Sequence, residues 1–213
     1  VKRSANGIRE MMAAFGQLSS YITESLTKDQ ANIWIAQKEG RAKDGLDQTD
    51  PAIIKMFFMG QKKEKVPFPE AMANLKVVPV SIAYEYDPCA FDKARELHQK
   101  STTGNYEKAE FEDIDSIKNG IVGQKGKVVV TFGDVIKDGF ETPEEFVAEV
   151  DRQIITNYAI QSSNEAALAL QTGLPTTDNA FKSYLERCPE NLRETVLAMY
   201  ANPLKQQQKY LNK

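Results

Sequence analysis

Arg41 ends a short segment whose residue types suit a phosphate-binding site. The apolar run at residues 33–36 (IWIA) predicts a short buried strand. The guanidinium that follows it offers a planar, permanently charged fork that matches a phosphate. Gly40 lets the backbone come close to a ligand, and Glu39 can orient the arginine or accept a ligand hydroxyl. A solvated turn with a surface ion pair explains the same residues, and the pattern leaves both interpretations open.

A second arginine, Arg3, follows Val1 and Lys2 in a strand-like segment at the start of the sequence. Between the two arginines, residues 6–27 carry apolar side chains at helical spacing, which predicts an amphipathic helix. A helix of this length can connect two parallel strands. Arg3 and Arg41 would then lie at the same edge of a sheet, where ligands bind in open α/β sheets. Lys2 and Lys38 are weaker phosphate ligands, and solvated lysines explain them equally well.

Residues 1–87 resemble three consecutive sequence blocks of the glycerolipid acyltransferase family. Val1-Lys2-Arg3 resembles the second block, which ends in an arginine after apolar residues. Residues 36–41 resemble the third block, Phe-Pro-Glu-Gly-Thr-Arg, and residues 77–81 (VVPVS) resemble the fourth, an apolar strand that contains Val-Pro. The lead-in at 33–36 and the Arg-x-x-Asp from Arg41 are similar to the glycerol-3-phosphate branch and to a bacterial branch of the family.

This resemblance implies an α/β fold, with a mostly parallel sheet flanked by helices. It also implies transfer of a fatty acyl group from acyl-CoA or acyl carrier protein to a glycerol-phosphate acceptor in phospholipid biosynthesis. Arg3 and Arg41 would hold the phosphate, Glu39 would orient an arginine or a glycerol hydroxyl, Gly40 would allow close approach, and Pro79 would shape the site. We expect a cytoplasmic enzyme with peripheral contact to the inner face of the membrane, and no cofactor besides the acyl donor.

The chain departs from the family pattern at its first and third blocks. The third block lacks the proline before Glu39 and the threonine between Gly40 and Arg41. The first block, His-xxxx-Asp, is absent, because the single histidine, His98, is followed five residues later by Thr103. In the family that histidine is the general base. We therefore expect the sequence to begin partway through a longer protein and to be inactive alone; a non-catalytic phosphate- or lipid-binding module is the alternative.

Composition limits the other classes of function. The chain has 213 residues, a net charge of −3 and a pI near 5.4, which argues against nucleic acid as a partner. Cys89 and Cys188 are far apart and lack metal-ligand spacing, so we expect neither a disulfide framework nor a metal site. No apolar run reaches the roughly 18 residues needed to cross a membrane. These features are typical of a protein of the reducing cytoplasm.

The remaining elements predict two domains. Residues 1–162 alternate strands, at 77–86 and 127–132, with helices that begin at Asp50-Pro51 and at a capping box over residues 142–145. Residues 163–213 are purely helical and predict a C-terminal extension.

The most apolar stretch, at 53–59, precedes a cluster of lysines. It is either an acyl-chain or membrane-facing surface or a buried helix, and its composition favours burial.

Two further sets of residues are candidate functional groups. Glu85 and Asp87 could form an acid pair or ligate a metal, but Asp87 precedes Pro88 and is better explained as a helix cap. The glycines at 120, 123 and 126 precede a strand instead of linking a strand to a helix, so they do not predict a dinucleotide-binding loop.

Overall fold

Helices make up most of the computed structural model, which describes residues 7–38, 42–62 and 65–212. In chain order the helices are α1 (Ile8–Thr27), α2 (Pro51–Lys62), α3 (Phe68–Leu75), α4 (Ala90–Thr103), α5 (Glu112–Val122), α6 (Pro143–Thr156), α7 (Ser162–Gln171), α8 (Asn179–Glu186) and α9 (Arg193–Leu211), with a 3-10 turn at Glu190–Leu192. The strands are β1 (Val80–Tyr84) and β2 (Val128–Phe132). None of the described helices is long and apolar enough to cross a membrane.

The two strands pair with each other in an antiparallel sheet. At one end the Glu85 N–H donates to the Lys127 carbonyl at 2.9 Å, and at the other the Gly133 N–H donates to the Pro79 carbonyl at 2.8 Å. Both strands lie within the segments where β-branched residues predicted them. Their pairing shows that the predicted α/β fold, a mostly parallel sheet flanked by helices, is wrong for this structure.

The missing parallel strand is the segment at residues 33–36. It is irregular in the structure, and Trp34 and Ile35 are 66% and 38% exposed. A short apolar run becomes a strand only where a neighbouring edge accepts its hydrogen bonds, and periodicity alone does not reveal that edge. Without this strand, α1 is not a crossover between parallel strands. The expectation that Arg3 and Arg41 meet at one sheet edge therefore loses its structural basis.

The described chain divides into two compact units. The first comprises the described residues of ranges 1–41, 48–79 and 132–153, and the second comprises ranges 42–47, 80–131 and 154–213. Each unit combines segments that are distant in the sequence. Local sequence patterns could not reveal this arrangement, because it depends on contacts between remote segments.

In the first unit, α1 and α2 approach closely at a glycine. The Ser19 hydroxyl donates to the Phe57 carbonyl at 3.0 Å and accepts from the Gly60 N–H at 2.6 Å. A Cβ added to Gly60 would lie 2.7 Å from the Ser19 hydroxyl oxygen. Ser19 is fully buried, and these two contacts supply its hydroxyl with both a donor and an acceptor on the backbone of α2.

The apolar stretch at 53–59 lies in the core of the first unit. Ile54, Met56 and Phe57 are at most 8% exposed, which confirms the prediction of a buried helix for this stretch. The ring of Phe68, at the start of α3, meets that of Phe146 edge-on with centroids 6.4 Å apart.

The predicted helix starts are confirmed. The Asp50 carboxylate accepts from the Ala52 N–H at 2.9 Å, one residue into α2. At α6, the Thr142 hydroxyl accepts from the Glu145 N–H at 3.2 Å, and the Glu145 carboxylate accepts from the Thr142 N–H at 3.3 Å, which forms a reciprocal capping box.

In the second unit, α7 and α9 pack together and share a core with α4. Residues 163–212 are helical as predicted, apart from short connections. Ala90 and Ala94 of α4 belong to the same buried cluster as Phe181 and Val196 of α8 and α9. Cys188 lies in this cluster too, and both it and Cys89 are buried cysteines that form no disulfide bond.

Candidate functional site

Of the site residues predicted from the sequence, the structure describes Pro79. Arg3, Glu39, Gly40 and Arg41 lie outside the described residues, so their roles stay predictions. Pro79 directly precedes β1, where its lack of an N–H costs the sheet no hydrogen bond. Its carbonyl accepts from Gly133, and the Val77 carbonyl accepts from the Ile136 N–H at 2.8 Å. Two backbone hydrogen bonds therefore anchor the segment that resembles the fourth block.

The segment that leads into the predicted third block is also anchored. The Gln37 carbonyl accepts from the Asp50 N–H at 2.9 Å, beside the start of α2. The Gln37 amide oxygen accepts from the Thr49 hydroxyl at 3.3 Å, and the Thr49 N–H donates to the Asp151 carboxylate at 2.8 Å. Lys38, one of the weaker phosphate candidates, is exposed. The chain is thus fixed two residues before Glu39.

His98 does not form the histidine–aspartate pair of a general base in the described part of the chain. It lies on α4, and its backbone carbonyl accepts from the hydroxyls of Ser101 and Thr102 at 2.8 and 3.0 Å. No carboxylate among the described residues bonds to its imidazole. A catalytic base of the expected His-xxxx-Asp type is therefore not assembled around His98.

Asp87 lies three residues before α4, whose N-cap residue is Cys89, so the prediction that Asp87 caps this helix is wrong. One carboxylate oxygen accepts from the Cys89 N–H at 2.9 Å, and the other pairs with Lys93. Glu85 is engaged elsewhere, because its carboxylate accepts from the Lys127 N–H at 2.8 Å. The two acids therefore have separate partners, and the described residues contain no cluster of metal-ligating side chains.

A cleft of about 360 Å³ opens beside Asp87 in the second unit. Three aromatic side chains form one wall: Tyr86 and Phe91 each place their ring centroid 5.0 Å from that of Tyr184. The Arg187 guanidinium lies over the Tyr184 ring, 5.6 Å from its centroid. Sequence reasoning missed this cleft because its residues are up to 101 positions apart and match no motif.

A second cavity, of about 260 Å³, lies on the face of β1 that carries Ile82 and Tyr84. Two lysines line it, but each has an acidic partner: Lys43 pairs with Glu96, and Lys93 pairs with Asp87. The cationic groups of this cavity are therefore already neutralised, which makes it a poorer anion site than the two lysines alone would suggest.

Three buried or partly buried tyrosines around these cavities are held in their neutral form. Burial raises the pKa of Tyr158 and of Tyr184 to about 12. The pKa of Tyr200 is raised as well, first by burial and then by the neighbouring Tyr184 hydroxyl. Protonated phenols donate hydrogen bonds and do not act as bases at neutral pH, so these residues are suited to structure and binding.

Comparisons with known proteins identify no relative of this chain. No protein-family model, no curated protein and no solved structure matches the chain.

Proposed function

We propose that the protein is an acyltransferase of phospholipid biosynthesis. It moves a fatty acyl group from acyl-CoA or acyl carrier protein to glycerol-3-phosphate or 1-acylglycerol-3-phosphate. The observation that carries the proposal is the order of three sequence blocks, which end at Arg3, at Arg41 and around Pro79. Because the lysophosphatidate acceptor and the products are membrane lipids, the enzyme would work in the cytoplasm, in peripheral contact with the inner face of the membrane.

Each residue of the proposed acceptor site has its own role in binding. Arg3 and Arg41 hold the acceptor phosphate through charge-assisted hydrogen bonds. Glu39 orients an arginine or a glycerol hydroxyl, and Gly40 admits the acceptor close to the backbone. Pro79 is supported by the backbone hydrogen bond that its carbonyl accepts from Gly133, so the segment that shapes the site has a fixed position relative to residue 133.

The proton transfer requires a base that these 213 residues do not contain in the family form. The hydroxyl of glycerol is a weak nucleophile, and a positioned base contributes about 10²–10⁴-fold to such a reaction. The chain alone should therefore bind the acceptor without turning it over. A longer polypeptide that carries this chain together with a His-xxxx-Asp block should catalyse the transfer.

The test is an acyl-transfer assay with radiolabelled acyl-CoA or acyl carrier protein and each acceptor. We expect transfer by the longer polypeptide, loss of transfer when the histidine of its His-xxxx-Asp block is changed to alanine, and no transfer by the 213-residue chain. The absence of transfer by the longer polypeptide with both donors and both acceptors would overturn the proposal. Comparable turnover by the 213-residue chain would show that the base is a different residue.

A non-catalytic phosphate- or lipid-binding module is the second candidate. It is favoured by one observation: the only histidine, His98, lacks a carboxylate partner among the described residues. This candidate predicts that glycerol-3-phosphate binds with the same affinity whether or not a His-xxxx-Asp block is attached, and that no acyl transfer is detected in either form.

A further inference from the structure

The cleft beside Asp87 combines an aromatic wall with a cation that has no acidic partner. Its wall consists of the rings of Tyr86, Phe91 and Tyr184, and the centroids of the first two each lie 5.0 Å from that of Tyr184. All three side chains are only partly buried, so part of the aromatic surface faces the cleft. Aromatic surfaces of this kind bind planar ring systems, because a nucleobase can stack on them.

Arg187 supplies the charge. Its guanidinium is exposed, lies over the Tyr184 ring, and forms no ion pair with any carboxylate that the structure describes. The acid that lines the cleft, Asp87, is already occupied by Lys93 and by the Cys89 N–H. A guanidinium without a carboxylate partner is available to a phosphate, which it can bind through two parallel hydrogen bonds.

Neutral polar groups complete the cleft. The Ser183 hydroxyl and the Gln124 amide line it, are exposed, and have no hydrogen-bond partner among residues 7–38, 42–62 and 65–212. Both can donate and accept, as the polar edge of a base or the hydroxyls of a sugar require. The volume of about 360 Å³ falls at the lower end of the range for small-molecule sites, roughly 300–1,000 Å³. One ring system with a sugar and a phosphate is a ligand of suitable size.

From this arrangement we propose that the cleft binds an adenosine phosphate, with the base on the wall of Tyr86, Phe91 and Tyr184 and the phosphate on Arg187. The ligand is either a free nucleotide or the nucleotide portion of a coenzyme A thioester. The site lies wholly within the second unit and uses none of the residues assigned to the glycerol-phosphate acceptor. The proposed nucleotide site can therefore be tested independently of the acyltransferase proposal.

The experiment measures binding to the purified 213-residue chain by isothermal titration calorimetry, with AMP, adenosine, inorganic phosphate and coenzyme A as separate probes. AMP should bind at least tenfold more tightly than adenosine or phosphate, because it engages both the wall and the guanidinium. Arg187→Ala should weaken AMP binding about ten- to a hundredfold, the loss typical of a charge-assisted hydrogen bond, and should leave adenosine binding unchanged. Phe91→Leu should weaken adenosine and AMP to the same extent.

Lys209→Ala is the matched control, because it also removes one exposed positive charge from the second unit and does not line the cleft. Circular dichroism would verify that each variant remains folded. The proposal is overturned if AMP does not bind, if phosphate binds as tightly as AMP, or if Arg187→Ala and Lys209→Ala weaken AMP equally. Coenzyme A binding at least tenfold tighter than AMP identifies a coenzyme ligand, and equal binding identifies a free nucleotide.

Discussion

The Tyr200 hydroxyl accepts a hydrogen bond from the Asp87 N–H at 2.8 Å, across 113 residues of sequence. The same hydroxyl donates to the Tyr184 hydroxyl at 3.2 Å. A buried phenol on α9 thereby satisfies the backbone at the end of β1, just before α4. This contact connects the only described sheet to the helical core of the second unit.

Replacing Tyr200 by phenylalanine should destabilise the second unit. The substitution retains the ring but leaves the Asp87 N–H without its partner, and an unsatisfied buried donor costs about 1–3 kcal/mol. Urea denaturation monitored by circular dichroism measures the change in the free energy of unfolding. Tyr21→Phe is the control, since Tyr21 is 64% exposed, and it should change stability by less than about 0.5 kcal/mol. Equal stability of the two variants would contradict a structural role for the phenol.

Glu96 should make stability depend on pH in the acidic range. Burial raises the pKa of its carboxyl, but hydrogen bonds from Lys100 and Lys43 outweigh this effect, so the pKa is lowered from its ordinary value of 4.5. A lowered pKa in the folded state means that ionised Glu96 stabilises the fold above pH 4.5, and that this contribution disappears as the pH falls through the folded-state pKa.

Glu96→Gln should therefore lower the free energy of unfolding by about 1.5–3 kcal/mol at pH 7, the value of hydrogen bonds to a charged group. The difference from the unsubstituted chain should shrink as the pH is lowered below about 4.5, the ordinary pKa of such a carboxyl. Denaturation curves at several pH values measure it, with Glu110→Gln, at an exposed position, as the control. A difference that does not vary with pH would show that the carboxylate charge is not the source.

Gly60 and Gly16 should respond in opposite directions to alanine. A Cβ at residue 60 would lie 2.7 Å from the Ser19 hydroxyl oxygen and 3.0 Å from its carbonyl carbon, so α1 and α2 would have to separate. Overpacking of this kind costs about 1–3 kcal/mol. Nothing lies within 4 Å of a Cβ at Gly16, so Gly16→Ala should stabilise α1 by about 0.5–1 kcal/mol. Thermal unfolding of the two variants provides the measurement, and a stabilising Gly60→Ala would refute the close packing of these helices.

Arg41→Ala should weaken binding of glycerol-3-phosphate about ten- to a hundredfold, because a charge-assisted contact to phosphate is worth about 1.5–3 kcal/mol. Arg41→Lys should recover only part of the lost affinity. A lysine ammonium keeps the positive charge but cannot form the two parallel hydrogen bonds of a guanidinium. In the acyl-transfer assay the loss should appear in the acceptor KM, with the donor KM nearly unchanged. Arg9→Ala, at an exposed position of α1, is the control. If Arg41→Ala and Arg9→Ala bind the acceptor equally well, the assignment of Arg41 to the phosphate is wrong.

The sequence by itself determined the elements whose signals are local. Asp50-Pro51 and the pair Thr142 and Glu145 specify the starts of α2 and α6, because a cap and its partner lie within a few residues of each other. The apolar spacing over residues 6–27 predicts α1, and the β-branched runs predict the two strands. Each of these elements forms near the predicted position, since the groups that stabilise it are close in the chain.

Tertiary structure alone decided which strands pair and which side chains meet. Residues 33–36 have the composition of a strand, but they pair with no strand among the described residues. β1 and β2, in contrast, pair with each other in antiparallel orientation. Tyr86, Tyr184 and Arg187 form one cleft across 101 residues of sequence, and Tyr200 reaches Asp87 across 113. Sheet pairing and clefts depend on contacts between distant segments, and these contacts form only when the whole unit packs, so no local pattern encodes them.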